Sequence, residues 1–362
     1  MSVELLEKNV EKNVAEAFGE RVLQIINDGA LALMMSIGHR TGLFDTMATL
    51  PPSPAVDIAR ASHLSERYVR EWLGAVVTGG IVRYDEKAGT YHLPAEHASV
   101  LTRAASPNNM AVTAQWISVL GSAENALVEA FAHGRGVPYS AYPRFHVVMA
   151  EESQQTVVEA LFGHILPLAS GVEQRLVDGI DVLDVACGSG RAIIAMAERY
   201  PASRFTGVDV SAEAIAAARA EASRRNLANV RFLQVDAAEL SQIGSYDLIT
   251  AFDAIHDQSR PAEVLTAINQ ALKPSGVLLM QDIKGHTHLA DNRDHPLGPF
   301  LYTISCLHCM SVSLAAGGPG LGAMWGREQA VRMLADAGFR DAIVDELPHD
   351  PINYYYIARK DA

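Results

Sequence analysis

The sequence contains few cysteines, fewer basic than acidic residues, and no hydrophobic run long enough to cross a membrane. The three cysteines (Cys187, Cys306 and Cys309) are an odd, low count. Such a count argues against a secreted disulfide scaffold and fits a reducing cytoplasm. The longest apolar stretch, Ala30–Ile37, is too short to span a bilayer. The N-terminus is rich in Glu and Lys and lacks the apolar segment of a signal peptide. We therefore predict a cytoplasmic protein that does not insert into membranes.

The charge balance disfavours nucleic acid as a general partner. The 29 Lys and Arg residues face 42 Asp and Glu residues, giving a formal net charge of -13. A surface this acidic repels phosphate backbones. The length of 362 residues and a hydrophobic content of 49% are sufficient for two or three domains with real cores.

The N-terminal segment has the pattern of helices that lack a core of their own. Apolar residues recur at helical spacing from Leu5 to Phe18, which predicts an amphipathic helix. A second helix is predicted from about Arg21 to Thr41, and it is apolar nearly all round. Because a small domain cannot bury such a helix alone, we expect it to pack against a second subunit, so a homodimer is predicted.

A winged-helix pattern follows. Residues 55–94 are predicted to form helix, turn, helix and then a hairpin with its turn near Glu86–Gly89. A DNA-binding domain needs a basic face. However, Thr41–Val100 carries five basic and seven acidic residues. We therefore interpret residues 1–105 as a helical and winged-helix dimerisation domain and regard nucleic acid as an unlikely partner.

The remaining chain changes from helical to alternating periodicity. Residues 106–180 are predicted to form a helical linker that contributes to a substrate pocket. From residue 181 onward there are seven short β-rich runs, and the first five are separated by helical stretches. Strands that alternate with helices indicate an α/β domain with a parallel, doubly wound sheet, here residues 181–362. Ser211 is a predicted helix N-cap.

The first strand leads into a glycine-rich turn. Residues 182–190 read VLDVACGSG, and the glycines allow a sharp bend and the close approach of a ligand. Asp209 ends the second strand, where a carboxylate can accept hydrogen bonds from ribose hydroxyls. Asp236 ends the third, where it can accept from an exocyclic amine. An enzyme that binds NAD or another nucleotide remains an alternative, although a dinucleotide fingerprint would need a small residue in place of Ile193.

In this order and spacing, LDVACGSG, TGVDVS, LQVDAAEL and YDLITAFDAIHD resemble the motif series of class I S-adenosylmethionine-dependent methyltransferases. The resemblance is strong over about residues 181–284. With the winged-helix half, the whole chain is similar to small-molecule O-methyltransferases that dimerise through that half. It implies a Rossmann-like seven-stranded methyltransferase domain and a winged-helix N-terminal domain. It also implies S-adenosyl-L-methionine as cofactor, S-adenosyl-L-homocysteine as product and a small-molecule methyl acceptor.

The resemblance also assigns cofactor contacts. Gly188 and Gly190 would pass the methionine part, Asp184 would orient the loop or bind the ammonium group, and Asp209 would bind the ribose. Asp236 and Ala237 would flank the adenine. The full predicted cofactor set is Asp184, Ala186, Gly188, Gly190, Asp209, Val210, Asp236, Ala237 and Asp253. Ala186 departs from the family, in which many members have glycine, but alanine is small enough to be compatible with binding.

His256 is the candidate catalytic base. The chain resembles plant O-methyltransferases in carrying His-Asp after the fourth strand, and the resemblance implies that His256 removes a proton with Asp282 as its helper. An imidazole of near-neutral pKa suits this task. The alternative is that His256 only packs beside the cofactor. Asp257, next to it, is expected to point elsewhere.

The segment 285–325 is interpreted as a lid insertion over the acceptor pocket, because it is long and rich in His, Gly and aromatic residues. Predicted pocket residues are Trp116, Phe145, Met149, Phe300, Tyr302, His308, Met310 and Trp325. Cys306 and Cys309 have C-x-x-C spacing, but a structural zinc site needs a second pair of ligands, so no metal is predicted.

Several acceptor classes are argued against by the residues present. The position after the fourth strand lacks the Pro-Pro-Tyr run of amino-methylating DNA enzymes, and no cysteine follows a proline as in cytosine C5 enzymes. A hydroxyl on an aromatic or hydrophobic metabolite is the favoured acceptor. The alternative is a winged-helix transcriptional regulator that binds S-adenosylmethionine without catalysis.

Overall fold

The computed structural model describes residues 3–242 and 244–360. These residues form two compact units, the first ending at Ser118 and the second beginning at Val119. The division falls inside the segment predicted as a helical linker.

The first unit begins with one long helix instead of the two that were predicted. It runs without a break over Val3–Arg40. Gly19 lies where the two predicted helices would have separated. A single helical glycine costs only about 1 kcal/mol relative to alanine, so it does not end a helix that has no proline nearby. Along this helix, apolar side chains such as Phe18, Leu23 and Ile26 are exposed within the unit.

The winged-helix prediction is confirmed. Strands β1 (Arg83–Asp85) and β2 (Thr90–His92) pair antiparallel, and Asp85 accepts hydrogen bonds from the Lys87 and Ala88 amides in the turn between them. The helices of this unit after the first are Leu43–Thr49, Ala55–Ser62, Glu66–Thr78, Ala95–Leu101, Met110–Thr113 and, across the boundary, Gln115–Gly121.

This unit has its own hydrophobic core, centred on Trp72. The Trp72 ring packs edge-on against Phe44 with centroids 5.3 Å apart, and its Nε1 donates to the Met34 carbonyl at 2.9 Å. On the second helix of the winged motif, Arg67 pairs with Glu71 and Arg70 with Glu66. These ion pairs leave no net positive charge among the four residues.

The second unit is built on one sheet, and all seven predicted strands are present. They are β3 (Asp181–Val185), β4 (Arg204–Asp209), β5 (Val230–Gln234), β6 (Tyr246–Phe252), β7 (Leu272–Ile283), β8 (Ile343–Asp345) and β9 (Asn353–Arg359). The order is β5-β4-β3-β6-β7-β9-β8, with β3 to β7 parallel and β9 antiparallel to both neighbours.

Both faces of this sheet are covered, as a parallel sheet requires. Along β3, Val182 belongs to one hydrophobic cluster and Leu183 to the other. This follows because successive side chains point to opposite faces. Helices that flank or connect the strands are Arg191–Arg199, Ala212–Arg224, Pro261–Ala271 and Arg327–Asp336. The predicted N-cap is confirmed, since Ser211 Oγ accepts from the Ala214 amide at 3.2 Å.

Two further helical segments matter for the site. Before the sheet, the longer helices are Glu124–His133, Phe145–Ser153 and Val172–Asp178, with wide π-type turns at Gln154–Val158 and Leu161–Ile165. After β7, a helix begins at Gly298, widens into a π-type turn at Ser305–Cys309 and ends at Ala315. The window Gly298–Ala315 has the length and mean hydropathy of 1.2 that a membrane span would need, but 39% of it is buried inside the protein.

Candidate active site

The loop after β3 is shaped by three residues with positive φ. These are Ala186 (52°), Gly188 (53°) and Gly190 (73°). A Cβ on Gly190 would lie 2.7 Å from the Phe232 ring, whereas a Cβ on Gly188 would meet nothing within 4 Å. Gly190 thus allows the loop to pack on the sheet, and Gly188 leaves open space beside it.

The Asp209 carboxylate lies next to this loop at the end of β4. One oxygen accepts from the Gly188 amide at 2.9 Å, and the other accepts from the Ser211 amide at 2.7 Å. Both bonds come from backbone, so the orientation of the carboxylate is fixed. Asp209 is therefore presented as an anchored hydrogen-bond acceptor.

Asp236 follows β5 and is held in a similar way. One of its oxygens accepts from the Ala238 amide at 2.9 Å, and the other pairs with Arg260 Nη2 at 2.8 Å. Burial raises the pKa of Asp236, but these two partners outweigh it and hold the pKa below its ordinary value. The carboxylate is therefore ionised at neutral pH.

The carboxyl ends of β3 to β6 open into a cavity of about 460 Å³. Among the described residues that line it, four are aspartates (Asp209, Asp236, Asp253 and Asp257) and none is lysine or arginine. The apolar part of the wall includes Tyr139, Phe145, Met149 and Phe252. Such a cavity favours a ligand with a flat apolar portion and positive charge over one that carries phosphates.

A smaller cavity of about 70 Å³ adjoins the first, and the two share lining residues including Gly188 and Phe252. Asp184 and Arg191 also line it. Burial raises the pKa of Asp184 to about 7, against the opposing effect of the Thr250 hydroxyl, which donates to it at 2.6 Å. This end of the site thus offers a carboxyl group and a guanidinium close to the glycine loop.

Asp253 has two unusual properties. It adopts a positive φ of 49°, and its Oδ1 is buried without a hydrogen-bond partner. Burial, followed by the nearby Asp282 charge, raises the pKa of this carboxyl well above its ordinary value. Strained backbone and orphaned polar atoms of this kind concentrate at ligand sites.

His256 and Asp282 form a buried pair beside the cavity. Nδ1 of His256 lies 2.8 Å from Oδ1 of Asp282, which also accepts from the Ile283 amide at 2.8 Å and from Trp325 Nε1 at 3.0 Å. Burial alone lowers the pKa of His256, but the Asp282 carboxylate and then Cys309 raise it well above its ordinary value. His256 is 4% exposed and does not itself line the cavity, whereas Ala254 and Asp257 of the same turn do.

The sequence comparisons match both halves of the chain. Residues 29–103 match the family model of the Rv2258c-like winged HTH domain, and residues 176–317 match that of a methyltransferase domain. The second match contains the glycine loop, both anchored aspartates and His256. The chain therefore contains a winged HTH domain followed by a methyltransferase domain, which is the arrangement implied by the resemblance to class I S-adenosylmethionine-dependent methyltransferases.

Curated relatives resemble the methyltransferase domain only in part. Trans-aconitate 2-methyltransferase of Deinococcus radiodurans is 36% identical over 107 residues, which are 30% of this chain and 39% of that protein. Ubiquinone biosynthesis O-methyltransferase of Acinetobacter baumannii is 31% identical over 107 residues, which are 29% of this chain and 44% of that protein. The chain thus spans about two fifths of the length of these relatives.

Solved methyltransferase structures share the whole fold. Human N-acetylserotonin methyltransferase in complex with S-adenosylmethionine has a TM-score of 0.68 at 20% identity, with 95% of this chain and 98% of that chain covered. Mitomycin 7-O-methyltransferase has a TM-score of 0.68 at 20% identity, with 96% and 99% covered. At this identity the likeness shows the fold, and it confirms the predicted fold class.

The structure brings most of the predicted cofactor residues of this methyltransferase together. Those that line the larger cavity are Ala186, Gly188, Asp209, Val210, Asp236, Ala237 and Asp253. Asp184 lines the smaller cavity, and Gly190 packs against Phe232. Their roles stay predictions.

The predicted acceptor-pocket residues are more scattered. Phe145 and Met149 line the cavity, and His308 stacks on Phe145 with ring centroids 4.2 Å apart. Trp325 instead orients Asp282. The four others are not part of the cavity wall: Trp116 lies buried in the first unit, Tyr302 accepts from Asn292 Nδ2, Met310 packs near Gly320, and Phe300 is half-buried.

Several lining residues were missed by the sequence interpretation. Asp257 lines the cavity and accepts a hydrogen bond from the Tyr139 hydroxyl, contrary to the expectation that it points elsewhere. His146 and Gln258 also line the cavity. The His-Asp dipeptide was a usable signal for Asp257, whereas Tyr139 and His146 lie in a linker without a motif.

The cysteine pair takes part in no recognisable metal site. Across residues 3–242 and 244–360, no group of three or more His, Cys, Asp or Glu side chains is placed to hold a metal ion. Cys306 and Cys309 are free thiols, and Cys309 shares a hydrogen bond with the His256 side chain. The absence of a metal stays a prediction.

Proposed function

We propose that this protein transfers a methyl group from S-adenosyl-L-methionine to a hydroxyl of a small organic acceptor. The observation that carries the proposal is the convergence of Gly188, Asp209 and Asp236 on one cavity at the carboxyl ends of parallel strands. Ligands of open α/β sheets bind at this edge. The methyltransferase names of the relatives point the same way.

The residues present fit the cofactor along its length. Asp236 and Ala237 would flank the adenine, and Asp209 would accept from the ribose hydroxyls. Gly188 leaves open space, and the methionine part of the cofactor would pass the glycine loop through this space. Asp184 and Arg191 would meet the ammonium and carboxylate of the methionine end. An acidic cavity also suits a cationic ligand better than the pyrophosphate of NAD. When bound, the cofactor supplies a sulfonium-activated methyl group.

His256 and Asp282 would provide the base. With Nδ1 held by Asp282, Nε2 is the nitrogen that would take the acceptor proton, and the acceptor would replace Cys309 as the second hydrogen-bond partner of this side chain. Asp282 is itself fixed by Trp325 and the Ile283 amide, so it can hold the imidazole in one orientation. The pair then resembles a general base with an orienting carboxylate.

The cavity indicates a small acceptor. A volume of about 460 Å³ lies within the ~300–1,000 Å³ range typical of small-molecule sites. Tyr139, Phe145 and Phe252 give it flat apolar walls. An aromatic or hydrophobic hydroxyl compound is the acceptor that matches this lining.

We also propose a cytoplasmic homodimer. The free cysteines suit a reducing compartment. A second copy of the chain would cover the exposed apolar side chains of helix Val3–Arg40, which a soluble monomer would leave in water. Nucleic acid is disfavoured because Arg67 and Arg70 are paired with glutamates of their own helix. The same pairing disfavours the alternative function, a winged-helix transcriptional regulator.

Calorimetry and a transfer assay test the proposal. S-adenosylhomocysteine and NADH are titrated separately, and labelled S-adenosylmethionine is then incubated with a panel of phenols and naphthols. We expect binding of S-adenosylhomocysteine and label in an ether product. Binding of NADH alone would overturn the cofactor assignment, and cofactor binding without methylation of any panel member would overturn the acceptor class.

A further inference from the structure

The His308 side chain carries a buried polar atom that the proposed reaction does not use. The residue is 2% exposed, and its Nε2 has no hydrogen-bond partner. Native structures leave few buried polar atoms unpaired, and each one requires an explanation, such as a ligand.

The ring of His308 is neutral throughout the physiological range. Burial, followed by the charges of His256 and His146, lowers its pKa to about 3. A neutral imidazole has one nitrogen that donates and one that accepts. His308 is thus a fixed hydrogen-bonding group, and it is unsuited to be the base.

His308 lies next to a residue of the cavity wall. Its ring stacks on Phe145, which lines the cavity, with centroids 4.2 Å apart and planes 10° apart. Val312 and Ala316, four and eight residues further on, also line the cavity. His308 itself does not line the cavity, so an acceptor would reach its Nε2 past the ring of Phe145.

The helix geometry around His308 is itself irregular. His308 lies in the π-type turn Ser305–Cys309, and such turns frequently occur at functional sites. The next residue, Cys309, is a hydrogen-bond partner of His256. The turn thus presents His308 beside the His256 pair.

We propose that Nε2 of His308 hydrogen-bonds a second polar group of the acceptor, so that the preferred substrate is an aromatic hydroxyl compound bearing a further hydroxyl, carbonyl or ring nitrogen. The inference rests on the proposed function, since it assigns specificity within the same site. Phe145 and Tyr139 would contact the aromatic face. His308 would then select the ring orientation in which one hydroxyl reaches His256.

The test compares acceptors that differ only in the second group. The probes are 2-naphthol and the 2,3-, 2,6- and 2,7-dihydroxynaphthalenes. His308→Phe keeps a ring against Phe145 and removes both nitrogens, His308→Gln restores a polar group, and His133→Phe is the matched exposed control. Thermal unfolding verifies that each variant is folded. Two quantities are measured: kcat/KM for methyl transfer, and probe binding to protein saturated with S-adenosylhomocysteine.

We expect the wild-type protein and His133→Phe to prefer at least one dihydroxy isomer over 2-naphthol by about tenfold or more, the scale of one buried hydrogen bond. His308→Phe should lose that preference, measured as the ratio of kcat/KM for the dihydroxy isomer to kcat/KM for 2-naphthol, and His308→Gln should recover part of it. If His308→Phe does not fold, His308→Leu, which also lacks both ring nitrogens, takes its place, and the same loss of preference is expected.

The outcomes separate the inference from the proposed function. The inference alone is overturned if the probes are methylated but His308→Phe keeps the wild-type preference for a dihydroxy isomer over 2-naphthol. It is also overturned if the wild-type protein methylates the probes without any such preference. If no probe is methylated but the wild-type protein binds a dihydroxy isomer about tenfold more tightly than His308→Phe does, the inference stands and the proposed reaction falls. If the wild-type protein neither binds nor methylates any of the probes, both the inference and the proposed function are overturned.

Discussion

Nδ1 of His256 lies 2.8 Å from Oδ1 of Asp282, and this contact joins the turn after β6 to the end of β7. The contact is buried, and Trp325 from the 285–325 insertion donates to the same oxygen. Three separate parts of the chain thus fix one imidazole. A ring held this firmly has a defined nitrogen available for proton transfer.

Replacing His256 tests whether the imidazole acts in the chemical step. In His256→Ala we expect kcat for methyl transfer to fall by about 100-fold or more, the usual contribution of a general base. The dissociation constant of S-adenosylhomocysteine should stay within about threefold, because the anchored cofactor residues are unchanged. Both are measured on the same preparation, with exposed His133→Ala as control. Unchanged turnover would remove His256 from the mechanism.

Neutralising Asp282 tests the pH dependence. The Asp282 charge raises the pKa of His256, so the fraction of unprotonated base, and with it kcat/KM, should grow as pH rises toward that pKa. In Asp282→Asn the pKa of His256 falls, and the acidic limb of the profile should move to lower pH while the maximal rate decreases. Profiles of kcat/KM between pH 5 and 10 measure this shift. If the acidic limb of the profile does not move, the His256–Asp282 pair does not set the pKa of the catalytic base.

Removing the carboxylate of Asp209 tests the cofactor site. Asp209→Ala deletes the hydrogen-bond acceptor proposed for the ribose and frees the Gly188 and Ser211 amides. Hydrogen bonds to charged groups contribute about 1.5–3 kcal/mol, so affinity for S-adenosylhomocysteine should fall by about 10- to 100-fold. Calorimetry measures the loss, with exposed Asp336→Ala as the matched control. Equal affinities in the two variants would place the ribose elsewhere.

The two loop glycines should respond differently to alanine. In Gly190→Ala the new Cβ would lie 2.7 Å from the Phe232 ring and the residue would keep a positive φ, so both packing and backbone become strained. We expect unfolding free energy to fall by about 2–4 kcal/mol. Gly188→Ala adds a methyl group in open space, so its cost is limited to about 1–2 kcal/mol of backbone strain.

Gly188→Ala should instead weaken cofactor binding, because the methyl group occupies the space beside the loop. Chemical denaturation and calorimetry on both variants separate the two effects. A Gly188→Ala protein that binds S-adenosylhomocysteine like wild type would show that this space is not used.

The proposed dimer can be broken at the first helix. Phe18, Leu23 and Ile26 are 68%, 63% and 61% exposed in the single chain. If a second copy covers them, light scattering of the wild-type protein should give twice the 39.0 kDa chain mass. Placing Glu at all three positions should give monomers of unchanged helicity, whereas Glu20→Gln on the same helix should leave the dimer intact. A monomeric wild-type protein would contradict the proposal.

The sheet could be predicted from sequence because its strands are short apolar runs buried on both faces. Val182 and Leu183 illustrate this, since each faces a different hydrophobic cluster. The anchored carboxylates could also be predicted, because Asp209 ends one strand and Asp236 closely follows another, and a parallel sheet aligns these strand ends at one edge. The two-helix prediction was wrong because Gly19 is a weaker helix breaker than the prediction assumed.

The acceptor pocket was much less predictable. Trp325 and Phe145 look alike as apolar aromatic residues in a sequence, yet one braces Asp282 and the other lines the cavity. Which of these an aromatic residue does depends on packing between segments far apart in the chain. Tyr139, which hydrogen-bonds Asp257 across 118 residues, carries no local sequence signal at all.

The cavity wall is assembled from stretches of chain between Tyr139 and Ala316 that are widely separated in sequence. A molecule filling it would cross-link these stretches, and a ligand at 100 times its dissociation constant adds about 2.7 kcal/mol to stability by mass action. If the proposed cofactor fills this cavity, the lifetime of the protein against proteases would be tied to the supply of that cofactor. Depletion of the cofactor would then shorten that lifetime as well as slow the proposed reaction.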